Sequence, residues 1–171
     1  MHTITEAAAR HRNAVASYVQ RAEAIAEDQW LAPCGDGKWS PAEITAHLVL
    51  TFDAVDRELR GEGSMQPRMT GWKRLVARHT IMRRILNEGS FYTGARAPRE
   101  TRPTGELPPK LSALNAFCAA GARLVQQFAT TAAARPGFRL NHPYFGAIGI
   151  GDACYMSARH VEHHQTQLPP I

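Results

Sequence analysis

At 171 residues, with 44% hydrophobic and 20% charged side chains, the chain is sized and balanced for a single soluble globular domain spanning residues 1–171. No apolar run approaches the ~20 residues of a membrane span, and the start Met1–Glu6 lacks the basic-then-apolar pattern of a secretory signal. The net charge of +5 rests mostly on arginine; it suits nucleic acid, an anionic membrane or an anionic small molecule and selects none of them.

From Ile4 the apolar residues Ile4, Ala8, Val15, Tyr18, Ala22, Ile25 and Trp30 recur at three-and-four spacing, with His11 in phase. This predicts a long amphipathic helix, broken by Pro33, Gly35 and Gly37. The next start signal is complete. Ser40 is an N-cap, Pro41 suits the first helical position, Glu43 completes a capping box, and Trp39 with Ile44 can form a hydrophobic staple. A second helix is expected from Pro41 to about Arg60, its inward stripe being Ile44, His47, Leu48, Thr51, Val55 and Leu59.

A shorter helix is expected over 71–87, with Trp72, Leu75, Val76, Met82 and Leu86 on its packed face and Lys73, Arg74, Arg78, Arg83 and Arg84 elsewhere. Gly89, Gly94, Pro98, Pro103, Gly105, Pro108 and Pro109 then mark an irregular crossover. From Pro109 another long helix has Leu111, Leu114, Cys118, Gly121, Val125 and Phe128 in phase. Its small residues 119–122 would admit a close neighbour. A turn-like stretch over 141–146 leads to a last helix from about Ile150 to Leu168, stopped by Pro169 and Pro170. No strand is expected. Four long helices and one short one make an all-α bundle, in which the long crossover separates the second and third long helices. Cys34, Cys118 and Cys154 read as reduced thiols of a cytoplasmic protein, with Cys118 and Cys154 expected in the core.

The last helix carries His160, His163 and His164. His160 and His164 are four apart and so leave one helix face a turn apart, where two imidazoles can bind one ion. His163 is the competing partner for His160. Ala153, Ser157, His160, His164 and Leu168 fall on one inward line, which favours His164 and turns His163 about 100° away. The third candidate ligand is His47, in the core stripe of another helix; His2 is terminal and His142 is placed in a loop. Imidazole ligands suit Zn, Ni, Fe or Cu. Such histidine pairs also occur simply solvated, and it is the coincidence with a core histidine that points to metal, since unpartnered buried imidazoles are costly.

The segment Lys38–Ile44 continuing through His47 and Leu48, and the tail His160–Leu168, resemble two signatures of the DinB-like superfamily. The segments 94–98 and 142–146 are similar to its connecting loops. The resemblance implies a four-helix bundle with up-down-down-up topology, a divalent-metal site of His47, His160 and His164 at one end, and frequent homodimers. It also implies activities that range over thiol-dependent S-transfer, isomerisation and metal-dependent hydrolysis.

Three protein ligands leave coordination positions open, as catalytic ions require. Such an ion activates water, or holds a thiol as thiolate. The Arg-rich stretch from Lys73 to Arg84 suits the anionic groups of a low-molecular-weight thiol, and equally an ordinary solvated face. Glu43 is expected to be used in capping and Glu162 lies off the metal face. Asp53 and Asp56 are out of phase with His47, Gln167 could orient a ligand, and no general base can be named. The rival classes are a non-catalytic metal-binding protein and a nucleic-acid-binding stress protein; the second lacks any recognition motif.

Overall fold

The computed structural model describes residues 2–63, 65, 68–69, 71–91 and 97–170. The chain is predominantly helical, with four long helices, a shorter helical segment and one small hairpin among those residues.

Helix α1 spans Ile4–Glu23 and begins with a reciprocal capping box between Thr3 and Glu6. It is shorter than its apolar spacing suggests. Ile25 and Trp30 are buried as expected, but a 3-10 turn over Glu27–Gln29 delivers them. The Trp30 carbonyl then accepts the amide of Ala42, which folds the connection back onto the next helix. Helix α2 spans Pro41–Leu59, and its start is as the sequence predicts: Ser40 and Glu43 cap each other's backbone amides, with Pro41 at the first position.

The segment from Gly71 to Glu88 departs from expectation. Helix α3 (Gly71–Ala77) passes through a π-helical stretch (Arg78–Met82) into helix α4 (Arg83–Glu88). The wider π turn breaks the 3.6-residue phase, so the predicted stripe does not stay on one face. Met82 and Leu86 are buried with Ala77 and Ile85, whereas Trp72, Leu75 and Val76 are 71%, 59% and 48% exposed. The residues 92–96, which include most of the loop segment noted above, lie outside the described residues.

Helix α5 spans Lys110–Ala134. Its packed face is rotated from the predicted one. Phe117 and Leu124 are fully buried, while Leu111 is 73% exposed and Cys118 is also exposed, which corrects the expectation of a core thiol there. The bulk of Phe117, set between Tyr18 and Phe52 at ring separations of 4.9 and 5.4 Å, fixes that rotation. Gly121 permits the expected close approach: a Cβ there would lie 3.1 Å from Val15.

The stretch read as a turn is a β-hairpin. Strands β1 (Arg139–His142) and β2 (Gly146–Gly149) pair antiparallel, Leu140 opposite Ile148 and His142 opposite Gly146. Four-residue strands are too short to show alternation, and Gly146, at φ +71°, closes the turn. Helix α6 (Ile150–Gln165) follows directly, with Cys154 fully buried as predicted.

Helix α1 packs along α6 and α5, and α2 along α5. Side-chain links run in step with the chain on α1 and α6: His2 to Asp152, Arg10 to Glu162, Ser17 to Gln165. On α2 and α5, Asp53 meets Arg123 and the Leu59 carbonyl meets Arg135. Between α1 and α2 the order reverses, His11 lying against Phe52 and Tyr18 bonding Thr45. Among the described residues no helix is long and apolar enough to cross a membrane.

Candidate metal centre

The capped start of α2 places His47 two turns into the helix, and α6 lays His160 and His164 opposite it. The three side chains form a cluster whose ligand atoms all lie within 4.8 Å of one another. His160 Nε2 is 3.4 Å from His47 Nε2 and 3.0 Å from His164 Nε2. His47 and His164 are buried.

The outer edges of two rings are anchored. His47 Nδ1 lies 2.7 Å from the Thr101 carbonyl oxygen, and His164 Nδ1 lies 2.8 Å from Gln167 Oε1. Both partners are acceptors, so both Nδ1 atoms donate their protons and both Nε2 atoms turn a lone pair inward. A single proton on His160 Nε2 could satisfy only one of its two neighbours. The donor set fits a divalent cation, with the outward N–H groups bound to oxygen as ligating histidines require.

A family model described as the DinB superfamily matches residues 10–168. The chain belongs to the DinB superfamily. No curated protein and no solved structure matches it. The family match spans both histidine segments, so the cluster of this DinB-superfamily chain lies wholly within the matched region.

Electrostatics in this DinB-superfamily site favour neutral imidazole. Burial holds His160 far below the usual histidine value, with the charges of His164 and His47 adding to it. Burial likewise lowers His47, against the Thr101 hydrogen bond, and brings His164 down to about 3. The rings are walled by aromatic side chains. Trp39 lies 4.9 Å from His47 and 6.4 Å from His164, and Phe91 lies 5.6 Å from His160.

His163 is outside the cluster, as its helical phase predicts. It stacks on Phe91 at 4.8 Å and accepts from the Gln167 amide at 3.0 Å, so Gln167 bridges His163 and His164. Glu43 is held in the cap, Glu162 binds Arg10 and Arg159, Asp53 binds Arg123, and Asp56 binds Arg60. None is left to act as a base at the cluster. A cleft of about 150 Å3 beside Phe91 is lined by Thr80, Ile81, Arg84 and Ser90. Within the basic stretch Lys73, Arg83 and Arg84 are exposed, Arg84 facing Glu88, while Arg74 bonds the Met69 carbonyl.

Sequence reasoning missed Thr101 and Phe91. Thr101 acts through its backbone carbonyl, which no side-chain pattern could reveal. Phe91 lies in the crossover, where there is no periodicity to read.

Proposed function

We propose that this DinB-superfamily chain is one four-helix-bundle domain of up-down-down-up topology, in which His47, His160 and His164 hold a single divalent metal such as Zn, Ni or Fe. The convergence of three Nε2 atoms, two of them fixed from behind by Thr101 and Gln167, carries this reading. The in-step links of α1 with α6 and of α2 with α5, and the reversed order between α1 and α2, support the topology.

The function proposed is thiol-dependent S-transfer or hydrolysis on a small molecule. When bound, the ion supplies Lewis acidity to a water or a thiol at its open positions. The protein's own residues do the rest. Thr101 and Gln167 orient two imidazoles, Trp39 and Phe91 keep bulk water from the ring faces, and Arg84 with Thr80 and Ser90 offers polar contacts in the neighbouring cleft. That cleft suits the anionic end of a low-molecular-weight thiol or substrate. A homodimer in the cytoplasm, with no nucleic-acid partner, completes the reading.

Elemental analysis after native purification tests it, beside His47→Ala and His164→Ala. Near-stoichiometric metal in the wild type, lost in both variants, supports the centre. A wild type that holds no metal and takes up neither Zn nor Ni overturns it, while a metal-loaded protein inert towards thiols and esters would be a binding protein without catalysis.

A further inference from the structure

Five large hydrophobic residues are exposed among the described residues, and three of them, Trp72, Leu75 and Val76, stand on one turn of α3; the others, Leu31 and Leu111, lie elsewhere in the chain. At about 100° per residue the three share one arc of the helix. The opposite side is the held one. Ala77 is buried there, and Arg74 lies against the hairpin turn at Gly146 and donates from Nε to the Met69 carbonyl. Further along, Met82, Ile85 and Leu86 are buried and α4 packs on α6. The segment is thus anchored by its inner side and turns an apolar ridge outward.

The same segment carries much of the chain's charge. Residues 71–88 hold five lysines and arginines against one carboxylate, Glu88, where the whole chain has a net charge of +5. Arg84 pairs with Glu88, but Lys73, Arg78 and Arg83 have no ion-pair partner among the described residues. Lys73 and Arg83 are exposed and Arg78 is half-buried. By the same angular step, Lys73 and Arg78 fall on the two flanks of the ridge.

Charge decides between occupants. A second copy would set these cations against their own images, so the homodimer proposed above needs another face. An acidic protein would need a groove shaped to the ridge. A bilayer needs none: it admits a convex ridge, seats an indole at headgroup depth, and sets anionic headgroups beside the flanking cations. We propose that this face of α3 docks the protein on an anionic membrane surface, with Trp72, Leu75 and Val76 inserted and Lys73, Arg78 and Arg83 over the headgroups. The segment lies in the interface and does not cross it. This reading is independent of the metal centre.

Trp72 reports its own docking, since Trp30 is buried and Trp39 packs against His47. The whole chain is mixed with vesicles of phosphatidylcholine, alone or with about a third phosphatidylglycerol, and separately with soluble polyglutamate. The expected result is co-sedimentation and a blue-shifted tryptophan emission with the anionic vesicles only. Binding should weaken with salt and fall at least about tenfold in the double variant Lys73→Glu, Arg83→Glu. In the double variant Leu75→Ser, Val76→Ser, binding and the emission shift should both be lost. All four positions are exposed, so the thermal midpoint of each variant should match wild type. No binding to anionic vesicles, or equal binding to neutral ones, overturns the proposal. Binding that both variants retain overturns it by placing the contact elsewhere. A blue shift with polyglutamate but not with vesicles overturns it in favour of an acidic protein partner. A vesicle-free dimer that Leu75→Ser, Val76→Ser dissociates overturns it in favour of a second copy.

Discussion

Gln167 holds the Nδ1 of His164 through Oε1 at 2.8 Å and the Nε2 of His163 through its amide nitrogen at 3.0 Å. One amide thus fixes the orientation of a cluster ring from a position just past the end of α6. The aromatic stack of Phe91 on His163 steadies the arrangement from the other side.

Gln167→Ala removes that acceptor and leaves every imidazole of the cluster in place. Metal affinity is expected to fall 10–100-fold, with a helical content equal to wild type. Competition with a chromophoric chelator measures it, and an unchanged affinity would show that Gln167 has no bearing on the centre.

The depressed values at the cluster set the proton balance of metal uptake. A histidine whose folded pKa lies below its ordinary value carries less of a proton at a given pH than a free imidazole does. Burial does this for His47, His160 and His164. Zinc binding at pH 6 should therefore release fewer protons than three free imidazoles would. Calorimetry in buffers of different ionisation enthalpy counts the protons released. Release of as many protons per zinc as three free imidazoles give would contradict the buried cluster.

His11 is fully buried on α1, and neither ring nitrogen has a hydrogen-bond partner among the described residues. Burial lowers its pKa to about 4, so above pH 6.5 it is neutral in folded and unfolded chains alike and adds no pH dependence. As pH falls from 6.5 towards 4, the unfolded chain takes up a proton that the native state refuses. His11 by itself should take about 3 kcal/mol off the stability once pH is below the folded value. His11→Leu should be at least as stable as wild type at pH 7 and should lose less between pH 7 and pH 4.5, the remaining loss belonging to His47, His160 and His164. Urea unfolding at both values checks this; an unaltered acid dependence in the variant would place the sensitivity elsewhere.

Ser40→Ala breaks the capping box at the start of the helix that carries His47. The expected cost is about 1 kcal/mol of global stability. Because the same turn leads towards the cluster, metal affinity should fall with it, and Ser40→Thr should restore both. Thermal unfolding with and without zinc reads the two effects separately.

Much of this was legible because local chemistry and tertiary use agree. The Ser40–Glu43 box, Pro41, and the His160–His164 spacing all mark structure that depends on neighbours a few residues away. The face of α5 was harder, since Leu111 and Phe117 are comparably apolar and only the rings of Tyr18 and Phe52 decide which turns inward. The π stretch from Arg78 to Met82 defeated a reading built on a constant 100° step, and left Trp72, Leu75 and Val76 exposed. At the site, the imidazoles were visible in the sequence, but Thr101 reaches His47 through a main-chain oxygen.

The cluster also says something about the order in which this chain can assemble. His47 reaches its carbonyl partner across 54 residues and its imidazole neighbour across 113. The end of the chain brings His160, His164 and Gln167 together locally, but the third imidazole and its carbonyl anchor come from distant segments. Long-range closures of this kind come late, after the chain entropy of the intervening loops has been overcome. The centre can form only once the first helices, the crossover and the last helix have met. The ability to take up metal therefore marks completed folding, and in refolding it should trail the recovery of helical signal.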